Sequence, residues 1–190
     1  MKRLRIVIAE DEAIIRLDLK EMLVELGHEV VGEAWTGEGA LDLVQELNPD
    51  LAVLDIKMPG MNGIDVARSV SAQNLCPVIM LTAYSQKTLV EEAIKAGAMA
   101  YLVKPFDKSD LMPAIEVARS RYLEARELEN QVKDLSERLE IRKLVERAKG
   151  ILMRDHGLVE ADAFRQIQKW SMDKQLSLKQ VAEEVLGISE

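Results

Sequence analysis

Short apolar runs alternate with amphipathic stretches through the first 105 residues. Leu4 to Ala9 reads as a strand that runs into Glu10-Asp11-Glu12. Residues 12–26 place Ile15, Leu19, Met22, Leu23 and Leu26 at helical spacing, and Gly27 supplies a stop. Val30 to Ala34 predicts a second strand, and residues 38–47 a helix closed by Asn48-Pro49. Leu51 to Leu54 is a fully apolar strand ending at Asp55, followed by a loop at Pro59-Gly60-Met61-Asn62-Gly63. A helix over 64–72, a strand from Pro77 to Leu81, a helix over 86–96 and a strand from Met99 to Val103 complete the series. Strands that alternate with helices predict a parallel sheet. Continuous apolar runs, such as those holding Val53 and Ile79, predict burial on both faces, hence a doubly wound α/β fold. A fifth helix is expected to start with Ser109-Asp110 as its cap, which puts Pro113 near the first turn, where no backbone donor is needed.

That fifth helix meets no breaker before Gly150. Ala125, Leu128, Val132, Leu135 and Leu139 are spaced 3, 4, 3, 4, a coiled-coil seam about two heptads long. A different stripe then takes over: Ile141, Leu144, Val145, Ala148, Ile151 and Leu152. The change of face implies a new packing partner and a boundary near 135–140. Past a break at His156-Gly157, a helix over 160–172 turns Ala163, Phe164, Ile167 and Trp170 inward, and Ser177 caps a last helix carrying Leu178, Val181, Ala182 and Val185. The reading is an α/β unit over 1–122, a helical linker over 123–139 and an all-α three-helix unit over 140–190.

Composition narrows the class. One cysteine excludes a disulfide framework and a Cys-rich zinc site, and two distant histidines, His28 and His156, argue against a His-based metal site. Cys76, before Pro77, is read as a buried or strand-edge thiol. No apolar run approaches the ~18–20 residues of a bilayer span. The basic start Met1-Lys2-Arg3-Leu4-Arg5 leads into a stretch broken by acids, unlike a signal peptide. A soluble cytoplasmic protein without membrane contact is expected. The net charge of −8 is uneven: residues 1–120 hold 12 Lys and Arg against 19 Asp and Glu, net −7, and residues 121–190 hold 13 against 14, net −1. Arg138 to Arg154 carries six basic residues against Glu140 and Glu146, a local +4. Such a stripe is either a solvated helix face or a grip on a few phosphates.

The chemistry gathers at strand ends. Glu10 and Asp11 end the first strand and Asp55 the third, and ligands of doubly wound sheets bind outside these carboxyl ends. Converging carboxylates repel unless a cation intervenes, and Mg²⁺ suits hard oxygen ligands. Thr82 and Lys104 end the fourth and fifth strands, adding a hydroxyl and an ammonium that could cradle a phosphoryl group. Attack by the Asp55 carboxylate on phosphorus would give an acyl phosphate.

Over roughly residues 3–122 the chain resembles the receiver domain of two-component response regulators, a flavodoxin-like five-stranded fold. The resemblance rests on Glu10-Asp11, the run Asp55-Ile-Lys-Met-Pro-Gly-Met-Asn-Gly63, Thr82-Ala83 and Tyr101-Leu-Val-Lys104-Pro105-Phe106. It implies phosphotransfer from a sensor histidine kinase to Asp55. It also implies Mg²⁺ held by Asp11, Asp55 and the Lys57 backbone carbonyl, with Glu10 acting through water. Thr82 would move towards the phosphoryl oxygens while Tyr101 swings inward. Glu10 stands where many receivers have Asp. Phosphatases of the haloacid dehalogenase type share this chemistry but use a second Asp two residues on, and Lys57 holds that position. A regulatory phosphoacceptor with slow self-dephosphorylation is expected, not a turnover enzyme.

At the output end, Lys143, Arg147, Gly150 and Arg154 form one stripe, with Arg138, Arg142 and Lys149 beside it. Gly150 inside a helix costs about 1 kcal/mol relative to Ala, and close approach of another backbone or a helix crossing would account for it equally. Ser177-Leu-Lys-Gln-Val-Ala-Glu-Glu-Val-Leu-Gly-Ile-Ser189 looks like the first helix and turn of a DNA-binding motif, but no recognition helix follows before Glu190. RNA fits better, since a small basic helical surface can read unstacked loop bases. Over about residues 128–186 the chain resembles an ANTAR domain, an RNA-binding antitermination output. The matching residues are Ala148-Lys149-Gly150-Ile151-Leu152-Met153, Ala163-Phe164, Met172-Asp173 and Val181-Ala182, with Ser171 where the family usually has Ala. The resemblance implies dimeric binding of paired RNA stem-loops. Lys149 and Gly150 are the expected loop contacts and Arg142, Arg147 and Arg154 the phosphate contacts, with Trp170 read as core. The expectation is a homodimer formed on phosphorylation that binds RNA and controls gene expression by antitermination. A DNA-binding or protein-docking helical output is the alternative.

Overall fold

The computed structural model describes residues 3–83 and 87–187, and the side chains of all of these except 87–89. Among the described residues there are five strands, β1 Arg5–Ala9, β2 Glu29–Ala34, β3 Leu51–Asp55, β4 Val78–Thr82 and β5 Ala100–Val103. They alternate with α1 Ala13–Glu25, α2 Gly37–Leu47, α3 Gly63–Ala72 and α4 Lys87–Lys95. The sheet is wholly parallel in the order β2-β1-β3-β4-β5, so the strand order reverses beside β1. Alternation along each strand divides the core. Val7, Ala9, Ala52, Leu54, Val78 and Met80 face α2, α3 and α4. Ile6, Ile8, Leu51, Val53, Ile79 and Leu81 face α1 and the start of α5 (Lys108–His156). Apolar residues at successive strand positions therefore serve two helix layers, as the continuous runs predict.

The helix ends follow local chemistry. The Thr36 hydroxyl and the Asn62 side-chain oxygen accept from backbone N–H groups three residues on, and Asn48 closes α2 at φ 44°. Each such N-cap contributes about 1 kcal/mol. One expectation needs correction. Helix α5 is capped by Asp107, whose Oδ1 accepts from the Ser109 N–H at 2.6 Å, while Asp110 Oδ2 accepts from the Asp107 N–H at 3.0 Å. Pro113 consequently falls inside the helix, beyond the first orphan donors, and supplies no N–H to the carbonyl of the exposed Ser109.

The chain divides into two compact units, Met1–Arg126 and Glu127–Glu190. The second unit joins the last part of α5 to α6 Glu160–Lys174 and α7 Leu178–Leu186. Its core is Val145, Ala148, Leu152, Ala163, Ile167, Val181 and Ala182, with Ile141, Leu144, Trp170 and Val185 packed around it. Ser177 caps α7 in a reciprocal box with Gln180. Phe164, expected inward, is 37% exposed. Helix α6 buries Ala163 and Ile167 as expected, whereas the Phe164 ring lies 6.0 Å from the Lys149 ammonium. The last two residues of the motif from Ser177 to Ser189 lie outside the described residues. Among the described residues, no helix is long and apolar enough to cross a membrane.

Candidate functional site

At the reversal of strand order, β1 and β3 deliver three carboxylates to one edge. Oxygens of Glu10, Asp11 and Asp55 lie within 4.8 Å of one another. Glu10 is fully buried, Asp55 is buried and Asp11 is exposed. The Lys104 ammonium, at the end of β5, lies 2.6 Å from Glu10 Oε2 and 2.7 Å from Asp55 Oδ1. Burial pushes the Glu10 carboxyl above the usual carboxylate range, although the bond from Lys104 opposes it. For Lys104, burial lowers the ammonium's affinity for its proton, but the bonds to Asp55 and Glu10 outweigh this and raise it. The Lys104–Pro105 peptide is cis.

The backbone holds these groups in place. The Lys57 N–H donates to Asp55 Oδ2 at 2.8 Å, and the Gly63 N–H donates to the Ile56 carbonyl at 3.0 Å. Gly63 packs so closely that a Cβ there would overlap the Asp55 carbonyl. Glu38, from α2, accepts from the Met61 N–H at 2.8 Å and so braces the loop after β3. Arg16, from α1, donates to the Glu10 carbonyl at 2.6 Å. Thr82 is buried at the end of β4, and the opening is lined by Asp11, Asp55, Lys57, Thr82, Ala83 and Lys104. Tyr101 lies three residues before Lys104 on β5 and is exposed. Oxygen donors of this kind, two of them buried and one open to solvent, fit a hard divalent cation such as Mg²⁺. The expected strand-end residues therefore do converge. Sequence reasoning missed Arg16, Glu38 and the close approach of Gly63, which depend on tertiary packing and carry no motif of their own.

Residues 6–116 match the response regulator receiver domain, and residues 133–186 match the ANTAR domain. The chain belongs to the response regulators. It is 56% identical over 182 residues to the transcriptional regulatory protein PdtaR of Mycobacterium tuberculosis strain H37Rv, covering 96% of this chain and 89% of that one. The chemotaxis protein CheY of Thermotoga maritima is 40% identical over 112 residues, 58% of this chain and 93% of that one. Among solved structures, the signal receiver domain of the putative response regulator NarL from M. tuberculosis superposes with a TM-score of 0.60 at 31% identity. That match covers 63% of this chain and 98% of the other. This response regulator thus pairs a flavodoxin-like receiver with an RNA-binding output.

The expected RNA contacts are not alike in the ANTAR unit. Arg142 and Arg147 are exposed on α5. Arg154 is exposed too, but its Nε lies 2.7 Å from Asp155 Oδ1. Lys149 is buried, its ammonium 2.8 Å from Glu160 Oε1 and 2.9 Å from Glu146 Oε1. These two carboxylates raise its proton affinity above that of an ordinary lysine. Gly150 is exposed, and a Cβ on it would meet nothing within 4 Å. Among the described residues, neither a close backbone nor a crossing helix accounts for that glycine. Glu160 had no visible signal in the sequence, since its pairing with Lys149 spans the α5–α6 turn.

Proposed function

We propose that the chain accepts a phosphoryl group on Asp55 from a sensor histidine kinase and answers by dimerising and binding RNA stem-loops, so controlling transcription by antitermination. The observation that carries the reading is the Lys104 ammonium seated between Glu10 and Asp55 at the mouth of the acidic cluster. An Asp55 oxygen bonds to phosphorus as the P–N bond of the kinase phosphohistidine breaks. The electron pair stays on the imidazole nitrogen, which takes up a proton. Mg²⁺ bound by Asp11, Asp55 and the Lys57 carbonyl, with Glu10 acting through water, would neutralise charge on the phosphoryl oxygens. Lys104 pairs with another of those oxygens, and the Thr82 hydroxyl donates to a third while Tyr101 turns inward. The similarity to a protein named as a transcriptional regulator and the ANTAR match support the output half.

The domain reading is a receiver over 1–122, a helical linker over 123–139 and an RNA-binding unit over 140–190. Two such units in a dimer meet two stem-loops, which turns weak single contacts into avid binding. Arg142, Arg147 and Arg154 serve as phosphate contacts, with Gly150 as bare backbone against the RNA loop and Lys149 beside it. The test is hairpin-RNA affinity with and without acetyl phosphate and Mg²⁺, for the natural chain and for Asp55→Ala. Tighter binding on phosphorylation, absent in Asp55→Ala, is the expected outcome. Affinity indifferent to the phosphodonor removes the switch, and preference for duplex DNA over hairpin RNA replaces the output.

A further inference from the structure

The seam on α5 is uncovered. Leu128, Val132, Leu135 and Leu139 are 53–63% exposed, a degree unusual for four apolar residues at 4, 3, 4 spacing. Val132 between Leu128 and Leu135 is the β-branched and γ-branched arrangement that suits a two-stranded parallel coil. A second copy of this chain is therefore the occupant whose chemistry matches, since it presents the same stripe.

The positions flanking the stripe decide how readily that copy docks. With Ala125, Val132 and Leu139 at a and Leu128 and Leu135 at d, the g positions are Glu124, Gln131 and Arg138. The e positions are Glu129 and Ser136, with Lys143 following. In a parallel pair, each g residue faces the e residue five places on in the other copy. Glu124 then meets Glu129 of the second copy, twice by symmetry. At the other end Arg138 meets Lys143, but each of these has an acid on its own helix, Asp134 at 2.9 Å and Glu140 at 2.8 Å. Glu124 and Glu129 have no ion-pair partner among the described residues, and the Ser120 hydroxyl bonded to Glu124 carries no charge. The acidic end of the seam is thus self-repelling.

We infer that the Glu124–Glu129 pairs form an electrostatic brake on a parallel seam dimer, holding two copies apart until another contact brings them together. This rests on the dimer reading above and adds its threshold. An exposed seam of about two heptads is marginal in any case, so two like-charge pairs suffice to keep it open. Reversing one residue of each pair replaces repulsion with attraction at both sites. Screening by salt weakens the brake, because the Debye length falls from about 30 Å at 0.01 M to about 8 Å at 0.15 M.

The test is sedimentation equilibrium of the full chain with and without acetyl phosphate and Mg²⁺, comparing the natural sequence, Glu129→Lys and Glu127→Lys. Glu127 is at a c position off the seam, so its substitution alters net charge equally without touching the pairs. Glu129→Lys is expected to tighten self-association about tenfold or more, Glu127→Lys to leave it unchanged, and added salt to tighten the natural dimer. A natural dimer that forms on phosphorylation with an affinity unmoved by Glu129→Lys overturns the brake and spares the dimer reading. That result would mean antiparallel pairing or a different interface. If the natural chain stays monomeric throughout, the dimer reading fails. The brake then stands if Glu129→Lys dimerises, and falls with that reading if the variant is monomeric too.

Discussion

At the scale of single residues, the acidic pocket at the strand ends depends on contacts that allow no extra atom. Gly63 begins α3 and presses its Cα hydrogen against the Asp55 carbonyl, with the Met80 side chain on the same side. Gly63→Ala is expected to lower the unfolding free energy by about 1–3 kcal/mol, the usual range for overpacking, and to slow Asp55 phosphorylation by acetyl phosphate. Urea titration and a phosphorylation time course measure the two effects, and an unchanged midpoint with an unchanged rate would contradict them. The carboxylates, Thr82 and Lys104 were legible in the sequence because each follows an apolar strand, and strand ends of a doubly wound sheet converge. Gly63 was legible as a turn residue only. Its role comes from packing against a backbone eight residues earlier, which neither propensity nor spacing encodes. Cys76 is as read, buried, with its thiol pushed up to about 12 by burial and by the nearby Asp50 charge. His28 is also buried, its Nδ1 accepting from the Leu4 N–H at 3.4 Å, and burial lowers its proton affinity.

At the scale of elements, α5 and α6 share a core and are also tied by Lys149. Lys149 lies about two turns from the end of α5, and Glu160 is the first residue of α6. Their ion pair, with Glu146 and the Phe164 ring beside it, ties the two helices where Gly157 turns the chain at φ 67°. Truncating Lys149 leaves the carboxylates of Glu146 and Glu160 near each other without their shared cation. Lys149→Ala is expected to destabilise the C-terminal unit by about 1–2 kcal/mol, read as faster hydrogen exchange of α6 amides. Arg147→Ala is expected to leave stability within about 0.5 kcal/mol while weakening hairpin-RNA binding and reducing its salt slope by about one. If Arg147→Ala binds RNA as the natural chain does, the exposed stripe is a solvated face. Periodicity located α5, α6 and α7 to within a few residues, since α6 and α7 each bury one stripe and α5 buries one in each unit. It misplaced the cap of α5 because Asp107, Ser109 and Asp110 all have capping side chains, and only the folded backbone selects Asp107. It also turned Phe164 inward, because an aromatic beside a buried alanine fits the core pattern until a lysine ammonium claims its face.

At the scale of the whole molecule, the proposed RNA contacts and the proposed seam dimer would respond to salt in opposite directions. On the proposed function, RNA binding through Arg142, Arg147 and Arg154 would displace counterions and weaken as salt rises, with log K falling in proportion to the number of phosphates neutralised. Seam pairing, if Glu124 and Glu129 repel across it, strengthens as salt rises. Avid binding needs both, because the second stem-loop contact is gained only by a dimer. Below saturation of the dimer, the phosphorylated chain is therefore expected to bind a two-hairpin RNA best at an intermediate ionic strength. At low salt the brake limits the dimer, and at high salt the phosphate contacts are screened. Glu129→Lys removes the rising limb and leaves a monotonic decline. A single-hairpin RNA, which needs no second unit, declines monotonically with either protein. Fluorescence anisotropy of the two RNAs across a salt series, at protein concentrations below the dimer constant, distinguishes these cases. A monotonic decline for the natural chain on the two-hairpin RNA would show that seam pairing does not limit binding, and that the acidic flank of α5 is only solvated charge.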